Sequence, residues 1–230
     1  MPPVVETISL TKQYILGKTE VQALKNVTLS VEQGEFSAIA GPSGSGKTTL
    51  LNLIGCLDTP TAGSIKIGGE HVSGMNHKAL ADIRNRKIGF IFQTFNLIPV
   101  LTVYENVEFP LLLQELPVSE RKEKIVRILD AVGIGKRASH KPEELSGGQQ
   151  QRVAIARALV KSPQIVLADE PTANLDSDTG KRIIALMQRL NSEHGTTFIF
   201  STHDNMVMAQ ANRVVKLQDG RIMTDNAVGR

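Results

Sequence analysis

The segment Gly41-Pro42-Ser43-Gly44-Ser45-Gly46-Lys47-Thr48 sets glycines, a lysine and a hydroxyl at the spacing G-x-x-x-x-G-K-[ST]. That spacing suits a loop that wraps phosphate. Gly41, Gly44 and Gly46 let the backbone adopt open dihedrals and bring its amides close to an anion. A helix that follows adds the partial positive charge of its N-terminus. Lys47 would reach the β- and γ-phosphates of a bound triphosphate, and the Thr48 hydroxyl would complete a Mg²⁺ shell that the triphosphate shares. Ser43, Ser45 and Thr49 complete the nucleotide-binding candidates of this loop and the turn after it. Two acids, Asp169 and Glu170, end the apolar run Ile165-Val166-Leu167-Ala168. Ligands of α/β sheets bind beyond the carboxyl ends of strands, so these acids belong to the same edge as the loop. Asp169 suits Mg²⁺, directly or through water. Glu170 is placed to orient or deprotonate a water near the γ-phosphate. A third group, Leu145-Ser146-Gly147-Gly148-Gln149, precedes an amphipathic stretch and makes another helix start that attracts anions.

The elements that must hold these groups can be read from apolar spacing. Phe36-Ser37-Ala38-Ile39-Ala40 reads as a buried strand before the glycine loop, and Thr48 to Ile54 is apolar at helical spacing after it. Strand, glycine turn and helix together are the context a phosphate loop requires. Val4 to Leu10, Val27 to Val31 and Gly63 to Gly69 read as further strands, Lys78 to Arg86 as a helix, and Ile88 to Phe92 as a buried strand ending at Gln93. From Thr94 to about Leu159 the pattern turns helical. Val103 to Leu113 is one candidate helix. Ser119 to Val132 is another, with Ser119 as N-cap and Gly133 as its stop, and Ser146 to Leu159 is a third. The α/β pattern then resumes with Ile165 to Ala168, a helix over Asp178 to Asn191, a strand over Thr197 to Ser201, and a hairpin turning at Gln218-Asp219-Gly220.

Composition narrows the classes. At 230 residues the chain suits one sizeable α/β core with a smaller subdomain. A net charge of +3 with no block of like charges gives no nucleic-acid-binding tail. The single cysteine, Cys56, allows no intramolecular disulfide and reads as a buried, inert thiol in a reducing compartment. The first residues lack a secretory leader, and no apolar run approaches the ~20 residues that span a bilayer. Any membrane role is therefore expected to come through a partner. His71, His77, His140 and His194 fall in loops or at helix ends and read as solvent-facing.

The order of glycine loop, glutamine, Leu145-Ser146-Gly147-Gly148-Gln149 signature, paired acids and histidine resembles the ABC ATPases, and the signature matches letter for letter. The likeness covers nearly the whole chain. It implies an α/β fold: a RecA-like P-loop NTPase core with an N-terminal antiparallel β-subdomain and an inserted α-helical subdomain. Residues 1–93 and 160–230 would form the first two parts and 94–159 the third. It also implies ATP and Mg²⁺ as ligands. By resemblance, Tyr14 would stack on adenine, Gln93 would touch Mg²⁺ beside Thr48 and Asp169, and His203 would contact the γ-phosphate with Lys47 and Glu170. Ser146, Gly147, Gly148, Gln149 and Asp176 would reach the nucleotide held by a second copy. Ala173-Asn174-Leu175-Asp176 departs from the family's usual Ser-Ala-Leu-Asp at its first two positions, which leaves Asp176 in place but not the serine contact.

Three kinds of ABC ATPase compete. A soluble one acting on nucleic acid or ribosomes would carry a tandem cassette or a long coiled coil, and the chain has neither. A regulator that only binds nucleotide would have no need of Glu170 and His203. The remaining class is a transporter's nucleotide-binding subunit, cytoplasmic and peripheral on the inner face of the membrane. It also accounts for the apolar stretch from Phe95 to Thr102, where the family docks a permease helix. Gly89-Phe90-Ile91-Phe92-Gln93, Phe95-Asn96-Leu97-Ile98-Pro99 and Glu105-Asn106-Val107-Glu108 resemble the macrolide-export and lipoprotein-release branch. Amino-acid importers are the nearest rival.

Overall fold

The computed structural model describes residues 3–17 and 19–227. Two sheets carry the fold. An antiparallel sheet has the order β2-β1-β4-β5. It is formed by β1 (Val5–Leu16), β2 (Thr19–Val31), β4 (Ala62–Ile67) and the short β5 (Glu70–His71). The second sheet has the order β10-β9-β3-β8-β7-β6. Here β3 (Phe36–Ala40), β6 (Ile88–Ile91), β7 (Ile165–Ala168), β8 (Thr197–Thr202) and β9 (Arg213–Gln218) run parallel, and β10 (Arg221–Ala227) pairs antiparallel at the edge. β1 and β2 are longer than their apolar pattern suggests. Their extra residues form an outer hairpin whose side chains are largely exposed, so the hydrophobic signal ends before the ladder does.

The central strands β3, β7 and β8 are buried on both faces, and their side chains alternate between two cores. Phe198, Phe200, Val166 and Ala168 face one cluster with the helices α3 (Val103–Glu108), α4 (Val118–Ala131), α5 (Gly147–Leu159) and α6 (Ser177–His194). Ile199, Ile165 and Leu167 face the other, with α1 (Lys47–Ile54), α2 (His77–Lys87) and the antiparallel sheet. Each fully buried Phe or Ile stabilises the fold by about 1.5–3 kcal/mol. Cys56 belongs to the second cluster, and burial pushes its thiol up to about 11, which keeps it unreactive.

Three helical boundaries differ from the sequence pattern. The stretch expected as one helix over Val103 to Leu113 is α3 followed by a 3₁₀ turn over Phe109–Leu113. Pro110 lacks the amide that would continue the α ladder. Ser119 does not cap α4. Pro117 holds the N-cap position, and Ser119 lies inside the first turn. The last helix is longer than expected, running Ser177–His194 from an Asp176 cap to Gly195 at φ 63°. A short α7 (Asn205–Met208) carries too little apolar pattern to be read in advance. His140 is not solvent-facing: it is half-buried, its Nδ1 has no partner, and its Nε2 meets Arg137 at 2.8 Å. Among the described residues, no helix is long and apolar enough to cross a membrane.

Candidate functional site

The loop after β3 leads into α1, whose N-terminus differs from those of its neighbours. α2, α3, α5, α6 and α7 each begin with a side chain that accepts a backbone amide. α1 begins at Gly46 with no capping side chain and no acid in its first turn. Gly46 sits at φ 105° and Gly44 at φ 76°, backbone that a side chain would strain. Gly41 is not in that region. A Cβ there would collide with the carbonyl oxygen of Leu217, so close approach is what demands the glycine. Ser45 is buried and its hydroxyl has no hydrogen-bond partner. Lys47 is buried as well, and its ammonium donates to the carbonyls of Gly41 (2.8 Å) and Pro42 (3.0 Å).

The acids at the end of β7 meet this loop. The Thr48 hydroxyl donates to Asp169 at 3.0 Å. Ser201, at the end of β8, donates to Asp169 Oδ1 at 2.6 Å and accepts the amide of Glu170 at 2.9 Å. Glu170 holds a left-handed backbone at φ 45°, a strained conformation for a side chain of its size. Its Oε1 lies 3.9 Å from Lys47 Nζ and 2.9 Å from His203 Nδ1. The Nδ1 edge of His203 thus faces the Glu170 carboxylate, and its Nε2 edge points away from it. A cavity of about 660 Å³ opens here, bounded by Ser43, Gly44, Gly46, Lys47, Thr48, Thr49, Gln93, Glu170 and His203. Val21, Gln22 and Ala23 of β2 form its far wall, together with Asp219 and Gly220.

The oxygen donors fit a hard cation. Thr48 and Asp169 are bonded together and Gln93 lines the same cavity. No cluster of three or more His, Cys, Asp or Glu ligands occurs among the described residues. A sparse protein donor set suits Mg²⁺, which keeps waters and takes phosphate oxygens for the rest of its shell. A second cavity, about 630 Å³ and lined by Lys124, Arg127, Gln164 and His194 among others, lies at the amino ends of the strands, the edge at which α/β sheets do not hold nucleotide.

The remaining candidates lie elsewhere. Ser146 caps α5 through a reciprocal box: its hydroxyl accepts the Gln149 amide, and the Gln149 side chain accepts the Ser146 amide at 2.9 Å. Asp176 caps α6, and hydrogen bonds from Thr179 hold its carboxyl below the ordinary range. None of Ser146, Gly147, Gly148, Gln149 and Asp176 lines the cavity. Tyr14 does not line it either. Its hydroxyl donates to Asp58 at 2.8 Å, Lys12 sits 4.8 Å from its ring centre, and burial followed by the Asp58 bond raises its phenol. Val21, its partner across the β1–β2 ladder, is the residue that faces the cavity.

The stretch from Phe95 to Thr102 is mostly half-buried. Asn106, fully buried, accepts the Ile98 amide and donates to the carbonyls of Ile98, Leu101 and Thr102. Val100 stands out at 73% exposed. Phe109, Leu112, Leu113 and Val118 are exposed as well, with Leu113 at 74%.

Three positions with evident work at the site are not singled out by the motifs. Ser201 stands at a strand's carboxyl end two residues before His203, where the strand-end rule could have found it. Gln151 occupies an inward position of α5, fully buried, and donates to the carbonyl of Pro171 at 2.7 Å, while its Oε1 has no partner. A polar residue at an apolar helical position was the available signal. Arg157, near the other end of α5, donates to the carbonyls of Phe95 and Asn96, two residues in left-handed backbone. Nothing in its local sequence marks that reach of about sixty positions.

Comparison with known proteins agrees with this geometry. Residues 24–173 match the family model described as ABC transporter. An uncharacterized ABC transporter ATP-binding protein of Thermotoga maritima is 50% identical over 222 residues, 96% of this chain and 94% of its own length. The macrolide export ATP-binding/permease protein MacB of Hyphomonas neptunium is 48% identical over 98% of this chain, which spans only 35% of that longer protein. A solved dimeric, post-hydrolysis structure of the ATP-binding cassette MJ0796, bound to ADP and Pi, superposes with a TM-score of 0.90 at 46% identity, covering 98% of this chain and 99% of that one. The family model over most of the chain and relatives at about half identity settle the membership: this chain belongs to the ABC transporter family, as an ATP-hydrolysing cassette.

Proposed function

We propose that two copies of this chain close on ATP and that closure powers a membrane permease of the macrolide-export or lipoprotein-release type. The carrying observation is the separation of the two half-sites. Lys47, Glu170 and His203 line one cavity, while Ser146, Gly147, Gly148, Gln149 and Asp176 lie outside it. A γ-phosphate that touches both sets needs a second copy, placed head to tail. That the similar cassette MJ0796 is dimeric in its ADP- and Pi-bound form supports a reading with two copies.

In the closed pair, the amides of α1 and Lys47 bind the phosphates, and Val21, the ladder partner of Tyr14, stands on the base side. Glu170 accepts a proton from the attacking water, held in place by Lys47 and His203. Thr48, Asp169 and Gln93 would hold Mg²⁺, which neutralises charge on the phosphates. Hydrolysis removes the γ-phosphate that two like-charged surfaces share, and the pair loosens. The permease docks at Phe95 to Thr102 and on the exposed Phe109, Leu112, Leu113 and Val118, so the chain works peripherally on the cytoplasmic face of the membrane.

Glu170→Gln keeps the side chain's size and removes the base. Gel filtration of that variant should show a dimer with ATP and a monomer with ADP. Identical monomer peaks in both nucleotides would overturn the proposal.

A further inference from the structure

Ser201 is the last residue but one of β8, on the side of the strand shared by Ile199 and facing away from the Phe198 and Phe200 cluster, and it is fully buried. Its hydroxyl makes two bonds whose directions its neighbours dictate. The Glu170 amide can only donate, so Oγ accepts from it at 2.9 Å. The Asp169 carboxylate can only accept, so Oγ gives it the proton at 2.6 Å. One hydroxyl thus grips the side chain of one acid and the backbone of the next.

Each grip has a purpose in the geometry. Asp169 Oδ1 receives both Ser201 and Thr48, so Ser201 fixes the carboxylate that faces the first turn of α1. Glu170 has φ 45°, and an unpartnered buried amide would make that backbone still less favourable. Its turn is what brings Oε1 to 2.9 Å from His203 and 3.9 Å from Lys47. Its register neighbour on β3 is the apolar Ile39, so the two acids after β7 are the partners that use the hydroxyl.

We infer that Ser201 is a positioning residue for hydrolysis, one hydroxyl that orients Asp169 toward Thr48 and locks the strained Glu170 backbone so that its carboxylate faces the reacting phosphate. The inference rests on the roles proposed above for Asp169 and Glu170.

The test uses the full chain with Ser201→Ala, Ser201→Thr and Ser201→Cys. It measures steady-state ATP turnover, binding of a fluorescent ATP analogue with Mg²⁺ and with EDTA, and melting temperature. Loss of a hydrogen bond to a charged group should lower kcat of S201A by about tenfold or more. Analogue affinity in EDTA should stay within about twofold of the parent, while the tightening that Mg²⁺ brings shrinks severalfold. S201T, which keeps the hydroxyl, should recover turnover to within about threefold. S201C, of similar bulk but a weak hydrogen bonder, should not, and these two carry the comparison if S201A fails to fold. Parental kcat and Mg²⁺ response in S201A would overturn the inference. Equal losses in S201T and S201C, with melting lowered in both, would reduce Ser201 to packing and overturn it too. An inactive E170Q beside a fully active S201A overturns this inference alone, whereas a fully active E170Q overturns the reading of Glu170 beneath it.

Discussion

Two helix N-termini are proposed to meet the same γ-phosphate, and they are built in opposite ways. α1 starts with open amides, and the groups around it are joined by long-range bonds: Thr48 to Asp169, Ser201 to Asp169 and His203 to Glu170 link residues from 32 to 121 positions apart. α5 starts with a closed box, Ser146 and Gln149 satisfying each other three residues apart. Asp176 caps α6 in the same local way. The first end is completed by its ligand and is fixed by the whole core. The second is complete on its own and can be carried as a unit to a partner. A composite site needs this asymmetry, because only one half can afford to wait with unsatisfied donors.

Breaking the long-range half should have the largest effect. Lys47→Ala should abolish nucleotide binding and lower turnover by at least about a hundredfold, read by analogue titration and phosphate release. Retained binding would show that the loop amides suffice without the ammonium. Breaking the local half should separate binding from turnover. Ser146→Arg should leave analogue binding by the monomer unchanged, remove the ATP-dependent dimer in an E170Q background, and cut turnover by roughly a hundredfold. In the same region Ser146→Ala should lower stability by only about 1 kcal/mol, the worth of one cap, measured by denaturant unfolding. If S146R bound nucleotide as poorly as K47A, the two halves would not be separate.

Gln151 crosses between the regions, since α5 reaches the carbonyl next to Glu170 through it. Gln151→Leu also relieves its orphan Oε1, so stability should change by less than about 1 kcal/mol, whereas turnover should fall about tenfold. Unchanged turnover would make the crossing bond idle. The smallest functional effect belongs to a site outside both halves. Lys161 donates to the Arg84 carbonyl, and burial, with Arg84 nearby, pulls its ammonium down to about 8. A lysine depressed on folding binds more protons when unfolded, so its contribution to stability rises with pH between about 8 and its ordinary value of 10.5. Replacing it, Lys161→Met, should flatten that rise by on the order of 1–2 kcal/mol after solvent screening, with turnover unchanged at pH 7.

What was legible followed from how local each cause is. The strand, glycine turn and helix around Lys47 and the acids after Ala168 are written in consecutive residues, and the structure places them at one edge. Pro110 was a readable signal against a single helix over Val103 to Leu113. Pro117 was one against Ser119 as a cap, because a fixed φ starts a helix by itself. Ser201, Gln151 and Arg157 act across gaps of twenty to sixty-two positions, where period and propensity carry no information. The long outer hairpin of β1 and β2 was hidden for another reason. Its ladder is held by backbone bonds while most of its side chains are wet, so hydrophobic alternation never recorded it.

Arg157 sits near the rear of a 13-residue helix whose front is Ser146. At 1.5 Å per residue that rod is about 20 Å long, and a rod so short tilts without bending. Its rear guanidinium is bolted to the carbonyls of Phe95 and Asn96, the loop that leaves Gln93 and runs toward Val100. In the proposed closed pair, a pull on the front by a partner's nucleotide would swing the rear and carry that loop along with it. The cassette would then work as a crank, with chemistry at one end of a rigid arm and the permease's grip at the other.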